Sequence, residues 1–346
     1  MSDIYSTLWT LDHNRLRRGV DYRVTPCGDR LFRFVNQDTL ENVPTYRAFL
    51  NLLDNYEADV NKPENVTEKE KNDARAFLNR CLDTEVMQKA HNFLVEEGYA
   101  PKGKKGFKDM LYDMWFTPYT RTHSDKAQRQ VYFSRVDKSA NVSSSAFEHT
   151  FLGETRCGHV IGFHNWLRLY SEECLGNIQH KGCKWCDCGC DDRIIFTIDF
   201  DWKGNNKTRD SFFVGTSPEF ELALYTVCFL AGDGAKTEVV LGGQRVTITT
   251  YKLNGYIGSC YPILEGDSGD NLLDEGLDFL EYLENEDFGP EMGKRRLKRI
   301  YEEDYTKWCG RRCETAFSQV LRTLERNDNV EIYSNNHGVD IVTILE

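Results

Sequence analysis

The chain has 346 residues, of which 40% are hydrophobic and 12% aromatic, and its formal charge is −12. This composition can fill a large apolar interior and excludes a wholly disordered chain. The net negative charge argues against a protein that coats nucleic acid non-specifically, although a local basic cleft is compatible with it. The length predicts two domains, or three lobes.

The sequence has no apolar run near the roughly 20 residues that span a bilayer, so a membrane protein is not expected. The N-terminal residues MSDIYSTLWTLDHNR lack a basic stretch followed by an apolar one. They are not typical of a secretory signal, which predicts a cytoplasmic or nuclear location. In that compartment we expect the twelve cysteines to be thiols or metal ligands rather than disulfides.

Helical patterns dominate the N-terminal third of the chain. Apolar residues recur at three- and four-residue spacing in residues 46–56. Residues 67–70 (TEKE) form a capping-box pattern that predicts the start of a second helix. Residues 84–97 predict a third helix that ends at Gly98. Together these segments predict a helical N-terminal lobe over residues 1–124.

Strand patterns follow over residues 125–266. Gly242-Gly243 predicts a hairpin, and Ser217-Pro218-Glu219 predicts the start of a helix that interrupts the strands. The predicted fold class is α+β, with the helical lobe packed on a mostly antiparallel, β-rich catalytic lobe. Segments rich in β-branched and aromatic residues predict the strands, at residues 131–133, 194–200, 211–214, 237–241 and 244–251.

Residues 267–346 form an acidic C-terminal extension. Ten carboxylates and no Lys or Arg lie between residues 267 and 291, and mixed charge begins at Lys294. Helical patterns at residues 272–283, 295–305 and 314–325 precede two strand patterns at residues 330–333 and 339–345. This order is similar to a winged-helix module, but we favour an extra α/β appendage that packs on the core. Its role is unknown, and a protein partner of this extension is one hypothesis.

Two of the eight histidines lie in unusual settings. His149 lies in FEHTFLGE and His164 in GFHNW, fifteen residues later. A single histidine among apolar residues is more often a core residue with a satisfied hydrogen bond. Two such residues near polar side chains can instead be the general base and general acid of one reaction. Their spacing is not typical of a zinc site, and no serine or cysteine nucleophile motif accompanies them.

Four segments in order closely resemble the EndoU (XendoU) family of uridylate-preferring endoribonucleases: FEHTFLGE, GFHNW, SFFVGTSPEFELALYTVCFL and GSCYP. The N-terminal segment LWTLDHNRLRRGVDY is similar to the start of that family's domain. The resemblance covers residues 8–265. It implies cleavage of single-stranded RNA at uridines by the ribose 2′-OH, leaving 2′,3′-cyclic phosphate and 5′-OH ends. The alternative is an RNA-binding regulator of this family with weak or no cleavage.

The resemblance implies a catalytic set of His149, His164 and Lys207. We prefer Lys207 to Lys203 because a serine, Ser211, lies four residues after it, as in the family. Such a set supplies a base for the 2′-OH, an acid for the departing 5′-oxygen and a cation for the phosphorane. We assign His164 as the base and His149 as the acid.

The resemblance also implies residues around the substrate. Ser211 or Ser259 is expected to hydrogen-bond the base edge, and Tyr261 to stack on uracil or ribose. Glu148 and Glu154 match supporting acidic positions of the family. A divalent cation, manganese or calcium, is implied as well, with these two carboxylates as candidate ligands. The alternative is that Glu154 only orients a catalytic histidine.

The cysteine cluster departs from the family pattern. Its members lie within eight residues, and CxxC spacing suits a structural zinc that His180 or Cys174 would complete. The crowded CxCxC spacing is less typical of such a site. Zinc ligands, reduced thiols and disulfides all stay open, with thiols favoured. The four cysteines are Cys183, Cys186, Cys188 and Cys190.

Overall fold

A computed structural model describes thirteen segments of the chain together with residues 279 and 283. The segments are residues 3–25, 28–53, 56–62, 66–119, 144–156, 158–183, 193–232, 234–253, 256–264, 291–305, 317–326, 330–334 and 339–344. The chain divides into two compact units, residues 1–119 with 141–265 and residues 120–140 with 266–346. Among the described residues, no helix is both long and apolar enough to span a membrane.

The first unit begins with a mostly helical part. Its helices are α1 (Ile4–Leu11), α2 (Gln37–Asn42), α3 (Pro44–Leu50), α4 (Glu68–Leu82), α5 (Glu85–Glu96) and α6 (Lys104–Phe116). The predicted capping box is confirmed at the start of α4, where the Thr67 and Glu70 side chains each accept a bond from the other's backbone N–H. The helix predicted over residues 46–56 is too long at its C-terminal end. It stops at Leu50, and the apolar period continues because Leu52 in the following turn still packs into the core.

The rest of the described first unit contains three helical segments and ten strands. The helical segments are a π-helical turn (Glu148–Leu152), α7 (Trp166–Cys174) and α8 (Pro218–Ala231). The strands are β1 (Tyr22–Val24), β2 (Phe32–Val35), β3 (Glu154–Arg156), β4 (His159–Ile161), β5 (Ile178–Cys183), β6 (Ile195–Trp202), β7 (Asn205–Phe213), β8 (Lys236–Leu241), β9 (Gln244–Leu253) and β10 (Tyr256–Leu264).

The larger strands form two sheets, ordered β3-β4-β7-β6-β5 and β10-β9-β8. All their pairs are antiparallel except β4 with β7, so the predicted α+β class with mostly antiparallel strands is confirmed. The predicted hairpin is also confirmed, since Gly242 and Gly243 have φ of 58° and 83° between β8 and β9. Glycine adopts both angles without strain, and such a pair is typical of a two-residue hairpin turn. The strand predicted at residues 131–133 lies outside the described residues.

Helix α8 is the centre of the first unit. Every residue from its N-terminus through Cys228 is buried, as expected of a helix that other elements surround on all sides. The predicted start is confirmed, because Ser217 caps the helix and Pro218 is its first residue. Trp115 of α6 donates its indole N–H to Thr226 Oγ1 (3.0 Å), which joins α8 to the N-terminal helices.

Buried carboxylates lie around the start of α8. Glu221 accepts bonds from Thr216 Oγ1 (2.6 Å) and Asn165 Nδ2 (3.2 Å). Burial raises the pKa of Glu221 to about 8 and that of Asp12, at the end of α1, to about 7. Asn165 follows His164 directly, so this layer supports the chain next to a candidate catalytic residue.

Within the described residues, the second unit contains a small antiparallel sheet, two helical segments and the helical residues Phe279 and Leu283. The strands and helical segments are β11 (Glu291–Gly293), α9 (Lys294–Arg299) continued by a π-helical segment (Ile300–Tyr305), α10 (Phe317–Arg326), β12 (Val330–Ser334) and β13 (Asp340–Ile344). The sheet order is β11-β13-β12. A separate apolar core, which includes Leu297, Tyr301 and Leu324, holds them together. Along the described residues a strand, two helical segments and a hairpin follow one another in this order, and the comparison with a winged-helix module stays a prediction.

The raised pKa of Glu221 predicts a pH-dependent stability. The unfolded chain releases this proton near the ordinary glutamate pKa, whereas the folded chain keeps it until about pH 8. The free energy of unfolding therefore falls as pH rises between these values, by up to about 1.4 kcal/mol per pH unit. Glu221→Gln removes this contribution, so the loss of stability between about pH 5 and about pH 8 is expected to shrink in urea unfolding.

The matched control is Glu96→Gln, which removes an exposed carboxylate at the end of α5. It is expected to keep the wild-type pH dependence. A Glu221→Gln protein with the full wild-type pH dependence would contradict the assignment.

Candidate active site

The π-helical turn carries His149. The ring is buried, and its Nδ1 donates to Glu154 Oε2 at 2.8 Å. Glu154, at the start of β3, is also fully buried. This bond fixes the ring orientation and the tautomer, so proton transfer by His149 would use Nε2.

Two backbone hydrogen bonds join the segments of His149 and His164. The Phe163 N–H donates to the His149 carbonyl (2.9 Å), and the His164 N–H donates to the Thr150 carbonyl (2.8 Å). A short helical turn leaves some of its carbonyls without a hydrogen-bond partner inside the helix. Here the segment of His164 supplies the donors to these carbonyls. The two histidines are therefore fixed by the main chain and not only by their side chains.

Glycines allow this close approach. Gly162 has φ of 64°, and a Cβ built on it would lie 1.9 Å from the His149 carbonyl oxygen. Gly153 has φ of 81°, and its Cβ would lie 2.1 Å from the Phe163 ring. Phe163 itself has φ of 79°, a strained angle for a bulky residue, and is held by the rings of Phe200 and Trp202.

His164 contacts two groups of β7. Its Nδ1–H points at the Ser211 carbonyl (3.1 Å), and the same nitrogen lies 2.9 Å from Asp210 Oδ1. Burial lowers the pKa of His164, and the nearby Lys207 adds to this, while the Asp210 charge opposes it. The net pKa lies below the ordinary histidine value, so the ring is mostly neutral at pH 7, as a general base requires.

A β-bulge brings Lys207 to the same side of β7 as Asp210. Two residues of β7, Thr208 and Arg209, lie opposite Asp199 of β6, whose carboxylate accepts the Arg209 N–H (2.6 Å). Residues three apart on a regular strand face opposite sides of the sheet. The extra residue of a bulge shifts this alternation by one, so that Lys207 and Asp210 face the same side. Lys207 Nζ consequently lies 3.7 Å from Asp210 Oδ1.

The competing lysine, Lys203, lies in different surroundings. Its ammonium is 5.1 Å from the centroid of the Trp202 ring and 3.9 Å from Glu172 Oε2. Lys207 therefore shares Asp210 with His164, whereas Lys203 contacts neither member of that pair in the described part of the structure.

Strand β10 covers His164 from one side. The Tyr261 ring stacks on the imidazole with centroids 4.6 Å apart. Ser259 projects from the same face of β10, two residues earlier, and its buried hydroxyl has no hydrogen-bond partner among the described residues. The Ser211 hydroxyl instead donates to the Pro262 carbonyl, which joins β7 to β10.

Each of the two candidate metal carboxylates has a hydrogen-bond partner in the protein. Glu154 binds His149, and Glu148 accepts the Ser145 N–H (2.7 Å) at the start of its own helical turn. Nowhere in the described residues do three His, Cys, Asp or Glu side chains converge as ligands of an ion. The bond to His149 is the contact that an orienting role of Glu154 requires, and the metal-ligand role stays a prediction.

The proposed zinc cluster lies mainly outside the described residues. Cys183 ends β5 and its side chain is not described, and Cys186, Cys188 and Cys190 follow it. His180 Nε2 contacts the buried Glu173 carboxylate, so this ring already has a partner. In the described part of the chain, four cysteines are free thiols: Cys81, Cys174, Cys228 and Cys260.

The family model described as Endoribonuclease XendoU matches residues 1–262. The chain belongs to the XendoU family of endoribonucleases. It is 37% identical to uridylate-specific endoribonuclease B of Danio rerio over 76% of this chain and 95% of that protein. It is 35% identical to poly(U)-specific endoribonuclease-A of Xenopus laevis, over 76% and 93%. The solved structure of XendoU, a splicing independent snoRNA processing endoribonuclease, matches with a TM-score of 0.64 and 34% identity, over 76% of this chain and 96% of that chain.

These findings confirm the family that the sequence motifs of this endoribonuclease predicted. The roles of the individual residues stay predictions, although His149, His164, Lys207 and Tyr261 are joined by the contacts above. Sequence reasoning missed Asp210. The sequence shows a carboxylate directly before Ser211, but it does not show the β-bulge, which decides which way this side chain faces.

The first prediction of this site concerns Gly162. Gly162→Ala forces a Cβ against the His149 carbonyl and is expected to break the backbone bonds between the two segments. Unfolding free energy should fall by several kcal/mol, and RNA cleavage by at least about 100-fold. Gly158→Ala is the control, because Gly158 also has positive φ but its Cβ would meet nothing within 4 Å. That variant is expected to lose only about 1–2 kcal/mol, with near-normal activity. Equal effects of the two substitutions would contradict the packing argument.

The second prediction concerns the charge of Asp210. Asp210→Asn removes the largest contribution that raises the pKa of His164, so this pKa is expected to fall further. Titration of the imidazole by NMR in wild type and variant measures the change. Asp109→Asn, at an exposed position of α6, should leave the titration unchanged. A higher pKa of His164 in the Asp210→Asn protein would refute the electrostatic account.

Proposed function

We propose that this chain cleaves single-stranded RNA at uridines, with the ribose 2′-OH as the nucleophile. The observation that carries the proposal is the shared contact of His164 and Lys207 with the buried Asp210, next to a second histidine held by Glu154. A neutral imidazole, a second imidazole and an ammonium group are the set that this reaction requires. The curated relatives named above act on uridylate or poly(U), which supports the same base preference here.

The proposed reaction is a transesterification. His164 Nε2 accepts the proton of the 2′-OH, and the oxygen attacks the adjacent phosphorus. Lys207 stabilises the charge of the phosphorane. The bond to the 5′-oxygen then breaks as His149 donates a proton to it. The products are a 2′,3′-cyclic phosphate and a 5′-OH end.

Asp210 is proposed as a positioning residue. It orients His164 through Nδ1 and holds Lys207 on the same side of β7, without contact with the reacting atoms. Burying one carboxylate between two cationic or titratable groups offsets part of its desolvation cost.

Ser259 and Tyr261 are proposed to recognise uracil. A buried hydroxyl without a partner costs about 1–3 kcal/mol, and the polar edge of uracil would satisfy it. Tyr261 offers a ring for stacking beside His164. We assign Ser211 a smaller part, because its hydroxyl proton already binds the Pro262 carbonyl.

Manganese or calcium dependence and a cytoplasmic or nuclear location also stay proposals. The steps above assign roles to the chain's own side chains, and the comparison of manganese, calcium and chelator tests the metal dependence separately.

The test uses an oligoribonucleotide with a single uridine and a matched oligomer with a 2′-O-methyl group at that uridine. Cleavage at the uridine with a cyclic phosphate product, and none in the blocked oligomer, is expected. Manganese, calcium and a chelator are compared in parallel. No cleavage under any of these conditions would favour the RNA-binding regulator.

Variants test the assigned residues. His149→Ala and His164→Ala are each expected to lower kcat/KM by about 10²–10⁴-fold, and Lys207→Ala by about 10²–10³-fold. Lys203→Ala is the matched control and is expected to stay within about threefold of wild type, because its ammonium lies over Trp202. Full activity of the His164→Ala protein would overturn the mechanism.

A further inference from the structure

The second unit has an unusual charge distribution for so acidic a protein. Residues 267–291 contain ten carboxylates and no Lys or Arg, whereas residues 294–326 contain ten Lys or Arg and five Asp or Glu. The charge thus changes sign within one unit, and half of the ten cations lie in α9.

Exposed cations are concentrated on α9. Four of its six residues are exposed and basic, while Leu297 and the following Ile300 and Tyr301 are buried in the core of the unit. The buried residues fix the orientation of the helix and leave the cations on its outer side. These cations are Arg295, Arg296, Lys298 and Arg299.

The contacts of the described residues leave most of this charge without a role in folding. Like charges three or four residues apart on a helix repel each other, and these four cations form three such pairs. Lys298 lies 3.5 Å from Glu302, an exposed ion pair worth little. Within the described residues, Arg295 and Arg299 pair with no carboxylate. The basic face therefore costs helix stability, which is typical of a surface that binds an anion.

We propose that the basic face of α9, formed by Arg295, Arg296, Lys298 and Arg299, binds the phosphate backbone of single-stranded RNA without base specificity. Three of the four residues are arginines, whose planar donors match phosphate oxygens in pairs. The family of the first unit acts on RNA, so a polyphosphate chain is a ligand that this protein meets. An acidic protein is the rival occupant, and the experiment separates the two.

The experiment measures binding of the full chain to a labelled 2′-O-methyl oligoadenylate of about 30 nucleotides by fluorescence anisotropy over a range of salt concentrations. This probe has neither a 2′-OH to attack nor a uracil, so the result is independent of the proposed cleavage. Arg295→Gln, Arg296→Gln, Lys298→Gln and Arg299→Gln are combined in one variant. The Kd is expected to rise about 10- to 100-fold at ~0.1 M salt. The slope of log Kd against log salt concentration is expected to fall by about 2–3.

The control variant removes the same charge from the first unit, by Lys102→Gln, Lys104→Gln, Lys105→Gln and Lys108→Gln around α6. It is expected to change the Kd less than threefold, in keeping with the local nature of phosphate contacts. The α9 variant should keep or raise its Tm, because the substitutions relieve repulsion between like charges on the helix. An unchanged Kd and salt slope would overturn the proposal in favour of an acidic partner, and an equal loss in both variants would overturn it as a general charge effect.

Discussion

The candidate active site depends on two main-chain hydrogen bonds, from the amides of Phe163 and His164 to the carbonyls of His149 and Thr150. They hold the π-helical turn that carries His149 against the irregular segment that carries His164. Gly162 permits the close approach, and the strained Phe163 is held by aromatic neighbours. Because main-chain bonds do not change with the protonation of a side chain, the histidines can titrate without losing their positions.

Buried carboxylates then give each histidine a distinct environment. Glu154 accepts a direct hydrogen bond from His149, while Asp210 acts on His164 mainly through its charge. Desolvation outweighs that charge and keeps His164 neutral. Burying such groups costs free energy, and this cost is typical of sites where a pKa is adjusted for function. The carboxylates near the start of α8 add a further layer, since Glu221 binds the residue after His164.

Local signals in the sequence predicted local structure well. The capping box of Thr67 and Glu70, the glycine pair at 242–243 and the Ser217-Pro218 helix start each depend on a few adjacent residues, and each is confirmed. The four ordered motifs predicted the family. Features that depend on contacts between distant segments were missed. The π-helical turn is held by the His164 segment. The bulge opposite Asp199 and the contacts of Asp210 arise only where β6, β7 and the His164 segment meet. The cysteine cluster lies mainly outside the described residues and stays a prediction.

The most direct test of the account separates the two histidines chemically. When sulfur replaces the departing 5′-oxygen of the substrate, the leaving group is a thiolate. A thiolate leaves without receiving a proton from an acid. On this substrate the His149→Ala protein is expected to recover to within about tenfold of wild type, while it remains about 10²–10⁴-fold impaired on the normal one. His164→Ala should stay impaired on both, because the base is still required. Recovery of His164→Ala instead, or of neither variant, would contradict the assignment of His164 as base and His149 as acid.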